Sequence, residues 1–276
     1  MINQLIRLNL LQILFIVYLD ITNYQQMIPE FLNKFRTELE KHKRETIKIN
    51  AIPLSENEST AITESKFLGR PYLPKNIDYP KDQHDKPMIL WAQINFNEFP
   101  RFENYPVSGI LQFYASTDNW YETNDYKILF HDDLTQESQN DFSFLTENLY
   151  EESPIYKEHR LNFSKHTEYG SSEDHRFSIQ FEGNDFWEFR ETLSPEEQEK
   201  IDKIINGSGH RIGGYAYFTQ SDPREYNNKK EDILLLQIDT DEEIMFGDSG
   251  IANLFIHPKD LDNKQFDKAW FYWDCC

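Results

Sequence analysis

Behind an apolar N-terminal stretch, Ile28, Phe31, Leu32, Phe35 and Leu39 recur at helical spacing with Lys, Arg and Glu between them. This predicts an amphipathic helix over 28–41, with Pro29 in its first turn. The period then changes to two: Ile47, Ile49 and Ala51 alternate with Lys48 and Asn50, a strand over 47–54. Pro71, Pro74, Pro80 and Pro87 mark an ordered loop. Strands are predicted at Ile89 to Phe96, Ser108 to Ala115 and Tyr126 to His131. From Asp132 to about Asp174 the pattern weakens and charge rises, which marks a seam between halves or a long excursion from one of them. Strand alternation resumes at Phe177 to Phe181. Ser194-Pro-Glu-Glu197 is a helix start with a capping box, and the helix runs through Ile201, Ile204 and Ile205 towards Gly207. Strands at Ile233–Ile238, Ile251–His257 and Ala269–Trp273 close the chain. Many short strands, mostly antiparallel, with a few helices make an α+β class.

The chain repeats itself. Gly69 precedes Gln93 by 24 positions, as Gly213 precedes Gln237. Leu90-Trp-Ala-Gln-Ile-Asn95 has its echo in Leu234-Leu-Leu-Gln-Ile-Asp239, and Gly109-Ile-Leu-Gln-Phe-Tyr114 in Gly250-Ile-Ala-Asn-Leu-Phe255. The expectation is an internal duplication, with half-repeats at about 47–131 and 177–273.

Composition narrows the function. The net charge is −20 and the pI about 4.8, which argues against non-specific nucleic-acid binding and against an anionic membrane surface. It suits a basic protein partner or plain solubility. The two cysteines, Cys275 and Cys276, are adjacent; with no zinc-type Cys/His set, a reducing cytoplasm fits best. Leu10 to Leu19 is apolar with Arg7 before it, like part of a signal peptide, but no small-x-small cleavage site follows. It is short for a membrane span, which takes about 20 apolar residues. Met27 stands where the first helix begins, so residues 1–26 are read as a dispensable extension, with a membrane anchor or signal as the alternative.

Several constellations carry potential chemistry. Gly247-Asp-Ser-Gly250 matches the string around a serine-protease nucleophile, but the accompanying histidine motif is missing and a turn is expected. Asp239, Asp241, Glu242, Glu243 and Asp248 crowd ten residues, yet Ile244 and Gly250 stand where a calcium loop needs glycine and glutamate, which leaves a solvated acidic turn or a looser cation site. His210-Arg-Ile-Gly-Gly214 with Gln220-Ser-Asp-Pro-Arg224 offers an anion site through Arg211 or Arg224, or else an Asp222–Arg224 turn lock. Gln93 with Asn95 and Gln237 with Asp239 interrupt apolar strands at matching places. They either line a cleft shared by the halves or satisfy the backbones of their own loops.

Gly69-Arg-Pro-Tyr-Leu-Pro74, Ala92-Gln-Ile-Asn95, Gly109-Ile-Leu-Gln-Phe113, Gly213-Gly-Tyr215 and Gly247-Asp-Ser-Gly250 together resemble the bacterial YwqG family, in order, over roughly 28–276. The resemblance implies an α+β domain with internal duplication. It implies no activity, because the family is a domain of unknown function, and it transfers no catalytic residue, metal or cofactor. Family genes sometimes lie near secreted-toxin operons, which adds an immunity or antitoxin-like role to the reading. The expectation is a cytoplasmic, non-enzymatic binding module with a protein partner, basic if the acidity matters. The candidate contacts are Gln93, Asn95, His210, Arg224, Gln237, Asp239 and Asp248. The competing class is an enzyme or metal-dependent activity in a polar cleft between the halves, with His210, Arg224, Asp239 and Asp248 as its candidates.

Overall fold

A computed structural model describes residues 28–276; the expected extension 1–26 lies outside them. The strands are β1 (Arg44–Pro53), β2 (Lys66–Phe67), β3 (Ile89–Asn95), β4 (Ile110–Ala115), β5 (Tyr126–His131), β6 (His159–Glu168), β7 (Arg211–Gly213), β8 (Ile233–Ile238), β9 (Ile251–Ile256) and β10 (Trp270–Asp274). They form one sheet in the order β10-β9-β8-β7-β1-β6-β2-β3-β4-β5, and every pairing is antiparallel. The fold is α+β, with short helices around that sheet.

Strands β3, β4, β8 and β9 are covered on both faces, which is why they read as nearly continuous apolar runs. Both inner hairpins carry a register shift at the same place: between Leu90 and Ala92 in β3, and between Leu234 and Leu236 in β8. Such a bulge re-aims the side chains that follow it. The main core lies on one face of the sheet. There Trp91 meets Phe113 and Phe246 edge-on, each at 5.3 Å. A second cluster joins Leu32, Leu39, Phe181, Phe189 and Ile201. It includes helix α1 (Arg36–His42), helix α2 (Phe186–Glu191) and helix α3 (Pro195–Ile204).

The capping box at Ser194 and Glu197 forms as expected, with Pro195 at the helix start. Three expectations change. The helix over 28–41 is a 3-10 turn, Glu30–Phe35, followed by α1. Pro29 offers no side-chain acceptor, and Leu32 N–H closes instead on the Pro29 carbonyl at 3.0 Å. Phe177 to Phe181 is not a strand: its alternate residues Ile179 and Phe181 are buried against the helices, and Phe181 bridges only to Asn184. Alternating burial suits any extended segment laid on a core, whether or not it pairs. The weak segment 132–174 holds β6, a ten-residue strand at the sheet centre. Its face away from the core carries Arg160, Asn162, Ser164 and His166, leaving too little apolar alternation to announce a strand.

Candidate functional site

The two glutamines do the same work. Gln93 Oε1 accepts the Tyr72 N–H at 2.8 Å, and its Nε2 donates to the carbonyls of Ile62 (2.9 Å) and Glu64 (2.8 Å). Gln237 Oε1 accepts the Tyr217 N–H at 2.9 Å, and its Nε2 donates to the carbonyls of Gly207 (2.7 Å) and Gly209 (2.8 Å). Each therefore holds both sides of its own loop, and neither faces a shared cleft. Asn95 and Asp239 complete the same ties. Asn95 Nδ2 donates to the Thr63 carbonyl at 2.9 Å, while Asp239 accepts the Gly209 N–H and gives its own N–H to His210 Nδ1 at 2.9 Å.

Beside each glutamine the sheet places a buried cation. Lys66 pairs with Gln93 and Arg211 with Gln237. Lys66 Nζ donates to the carbonyls of Ala61 (2.6 Å) and Arg70 (3.0 Å), and burial pushes its pKa down to about 8. Arg211 donates to the carbonyls of Asn206 (3.2 Å) and Tyr215 (3.3 Å), and also to Glu168 at 2.6 Å. Gly69 and Gly214 turn each loop at positive φ, 82° and 72°. A Cβ at Gly69 would meet the Glu158 carboxyl at 2.5 Å; at Gly214 it would meet Glu168 Oε1 at 2.1 Å and Thr46 Cβ at 2.7 Å.

Arg224 lies elsewhere, in a buried charge cluster that sequence reasoning found only in part. Asp174, His175 and Asp222 bring one ligand-type atom each within 4.8 Å of one another, a set able to hold a metal. The carboxylates are already engaged. Arg176 holds Asp174 through Nε at 2.8 Å and Nη2 at 2.6 Å, and Arg224 reaches it at 2.8 Å. Arg224 also grips Asp222 in a fork, at 2.9 and 2.6 Å. Burial by itself would raise the Asp174 carboxyl, but the two guanidiniums hold it well below the usual range; Asp222 is lowered against its own burial by Arg224 and by hydrogen bonds from His175. His175 Nδ1 faces Asp222 Oδ2 at 2.7 Å and its Nε2 faces the Lys230 carbonyl at 3.1 Å. Both partners accept, so whichever ring nitrogen carries a proton donates to the partner it faces. The Asp222–Arg224 turn was legible from Asp-Pro-Arg; Asp174 and His175 came from the segment with no pattern.

The four enzyme candidates do not converge. His210 sits between Asp239 and Asp241, with Nε2 3.1 Å from Asp241 Oδ2. Arg224 belongs to the charge cluster. Asp248 is exposed in the turn that Gly250 N–H closes onto the Phe246 carbonyl, and the neighbouring Ser249 is held at φ 55°. The carboxylates of 239–248 take separate partners: Asp241 binds His210 and the Glu243 N–H, and Glu243 pairs with Lys157.

What remains open is the far face of β1 and β6. Asn50 stands directly opposite Asn162, both exposed. Two residues away on one side is Lys48, next to Arg211; two residues away on the other is Arg160, next to Lys66. Residues paired across strands share a face, so all six lie together.

Residues 65–275 match the family described as a domain of unknown function, DUF1963. The chain belongs to that family, the YwqG-like one that its sequence blocks resemble. The match begins after β1, although β1 is central to the sheet. No curated protein matches the chain. Among the described residues, no helix is long and apolar enough to cross a membrane.

Proposed function

We propose that this protein is a non-enzymatic binding module made of two units that arose by internal duplication, and that its ligand meets the open face of β1 and β6 where the units join. The observation that carries this reading is the Asn50–Asn162 pair, with Lys48 and Arg211 on one side and Arg160 and Lys66 on the other. Matching hydrogen bonds from Gln93 and Gln237 support it, as do the bulges at the same place in β3 and β8. On this reading the second unit begins at β6, upstream of 177. Residues with catalytic chemistry are tied into loops and ion pairs, whereas Asn50 and Asn162 are exposed and Lys48 and Arg160 half-exposed beside them, with Lys66 and Arg211 buried at the edges. The test is affinity capture with the wild type and with Asn50→Trp/Asn162→Trp, which fills the face without touching a core. A partner held by the wild type and lost by that variant supports the reading; partners unaffected by it defeat it.

A second reading, a metal-dependent activity, is favoured by Asp174, His175 and Asp222 alone. Against it stand Arg176 and Arg224, whose charges already neutralise the two carboxylates, so a divalent ion would have to displace a fork of hydrogen bonds. Zn2+ or Mn2+ binding that is lost in Asp222→Asn would bring this reading forward.

A further inference from the structure

The proposed binding face differs in charge from the rest of the molecule. The chain carries 48 acidic and 28 basic residues, so a surface without special selection is acidic. On the face shared by β1, β2, β6 and β7, the basic residues Arg44, Lys48, Lys66, Arg160 and Arg211 answer to Glu168, which pairs with Arg211, and to Glu158 at the start of β6. Glu158 is turned aside, accepting the N–H and hydroxyl of Thr60 at 2.8 and 2.5 Å.

Lys48 has no carboxylate within ion-pair distance among the described residues, although its stem is half-buried. Burial and then the Arg211 charge lower its pKa. His166, two residues along β6 from Ser164 and bonded to it at 2.8 Å, is lowered by burial and then by Lys48 and Arg211. Glu168 offsets part of this repulsion, but its carboxylate is engaged by Arg211 at 2.6 Å and lies outside ion-pair distance of Lys48. Among the described residues Arg160 pairs with Glu64, at the 4.0 Å limit. The side-chain amides of Asn50 and Asn162 make no hydrogen bond within the protein among the described residues, which leaves donors free at the centre.

Resting on the reading above, we infer that the occupant of this face is a small anion bearing carboxylate or phosphate groups, bound between Lys48 and Arg160 over the Asn50–Asn162 pair. Each cation stands about 7 Å along the strands from that pair, within reach of its long side chain. Arg160 supplies a planar fork for an oxyanion and Lys48 a point charge, while the amides set orientation. A nucleic acid is the wrong occupant, because its phosphates would also meet the surrounding acidic surface.

The probes are citrate and pyrophosphate, titrated into the full chain at constant ionic strength while the Asn50 and Asn162 side-chain amide signals are followed by NMR. The expected result is a saturable shift, weakened at least tenfold in Lys48→Gln/Arg160→Gln, whose thermal unfolding reports that it is folded. Saturation by citrate alone assigns a carboxylate ligand, and by pyrophosphate alone a phosphate ligand. A response that follows sodium chloride equally, or that survives the double substitution, overturns the inference. If it fails while Asn50→Trp/Asn162→Trp still loses a captured partner, the anion is wrong and the binding face stands.

Discussion

The loop packed over β3 and the loop packed over β8 are fastened by the same three hydrogen bonds from one glutamine, yet they treat charge differently. In the first, Lys66 reaches only backbone carbonyls, and Gln112 adds a bond to Gln93 at 2.8 Å and one to His131 at 3.0 Å. In the second, Arg211 gains Glu168, and the loop is pinned further by Asp174, which accepts the Ala216 N–H at 2.9 Å while Arg176 donates to the Gly214 carbonyl at 2.7 Å. Satisfying a turned backbone is an obligation both loops share, because buried N–H and C=O groups need partners. Ion pairing is a local addition, and the second loop has taken it up to fix itself against the helical cluster. The comparison teaches that the glutamines belong to the fold and that the Asp–Arg cluster belongs to one loop.

The sharpest test of that difference is Arg224→Met. It leaves Asp174 and Asp222 buried with one guanidinium fewer, and should cost about 3–5 kcal/mol in urea unfolding. The pH response has a definite sign. Asp174 and Asp222 have folded values below the ordinary 3.8, so their contribution is complete above that value and is lost as pH falls through it towards the folded ones. The acid limb of the stability curve should therefore be shallower in the variant than in the wild type. Equal acid limbs would show that the cluster adds nothing to the second loop.

Next come the shared anchors. Gln93→Leu and Gln237→Leu each strand one N–H and two carbonyls, and both should lose roughly 2–4 kcal/mol. The two losses should agree within about 1 kcal/mol, with Gln93 the larger because Gln112 also bonds to it. A cost near zero at either site, read by denaturant midpoint, would break the equivalence of the loops.

Glycine substitution separates the loops again. At Gly69 the obstacle is the end of Glu158, whereas at Gly214 it is Thr46 Cβ together with a Glu168 already clamped by Arg211. Gly69→Ala should cost about 1–2 kcal/mol and Gly214→Ala about 2–4, compared by thermal unfolding. The reverse order would mean that the tighter packing is on the first side.

The smallest effect on stability concerns the acidic surface. Glu147, Glu151 and Glu152 are exposed beside the short turn Glu147–Tyr150, outside both anchored loops. Replacing the three with Gln should leave unfolding within about 0.5 kcal/mol of the wild type. A basic partner protein, such as the toxin of an immunity pair, should associate more slowly with the variant and at higher salt. A partner whose on-rate ignores both changes would leave the acidity to solubility.

Much of this was written in the sequence. Apolar runs at 89–96, 108–115, 233–238 and 251–257 announce β3, β4, β8 and β9, because a strand covered on both faces is apolar throughout. Ser194-Pro-Glu-Glu197 specifies a helix start from local bonds alone. The equal spacing of Gly69–Gln93 and Gly213–Gln237 points to the matching loops but misplaces their register by one residue: Gln93 holds the amide 21 positions before it and Gln237 the amide 20 before it, so the counterpart of Gly69 is Gly214. Strand β6 was hidden because its open face needs no apolar residues, and neither the Asp174–His175–Arg176 cluster nor the Asn50–Asn162 pair has a local signature. The cluster exists only once the segment around Asp174 folds against Asp222 and Arg224, and the asparagine pair only once β1 and β6 lie side by side: register decides which residues share a face, and no periodicity along a single strand encodes its partner.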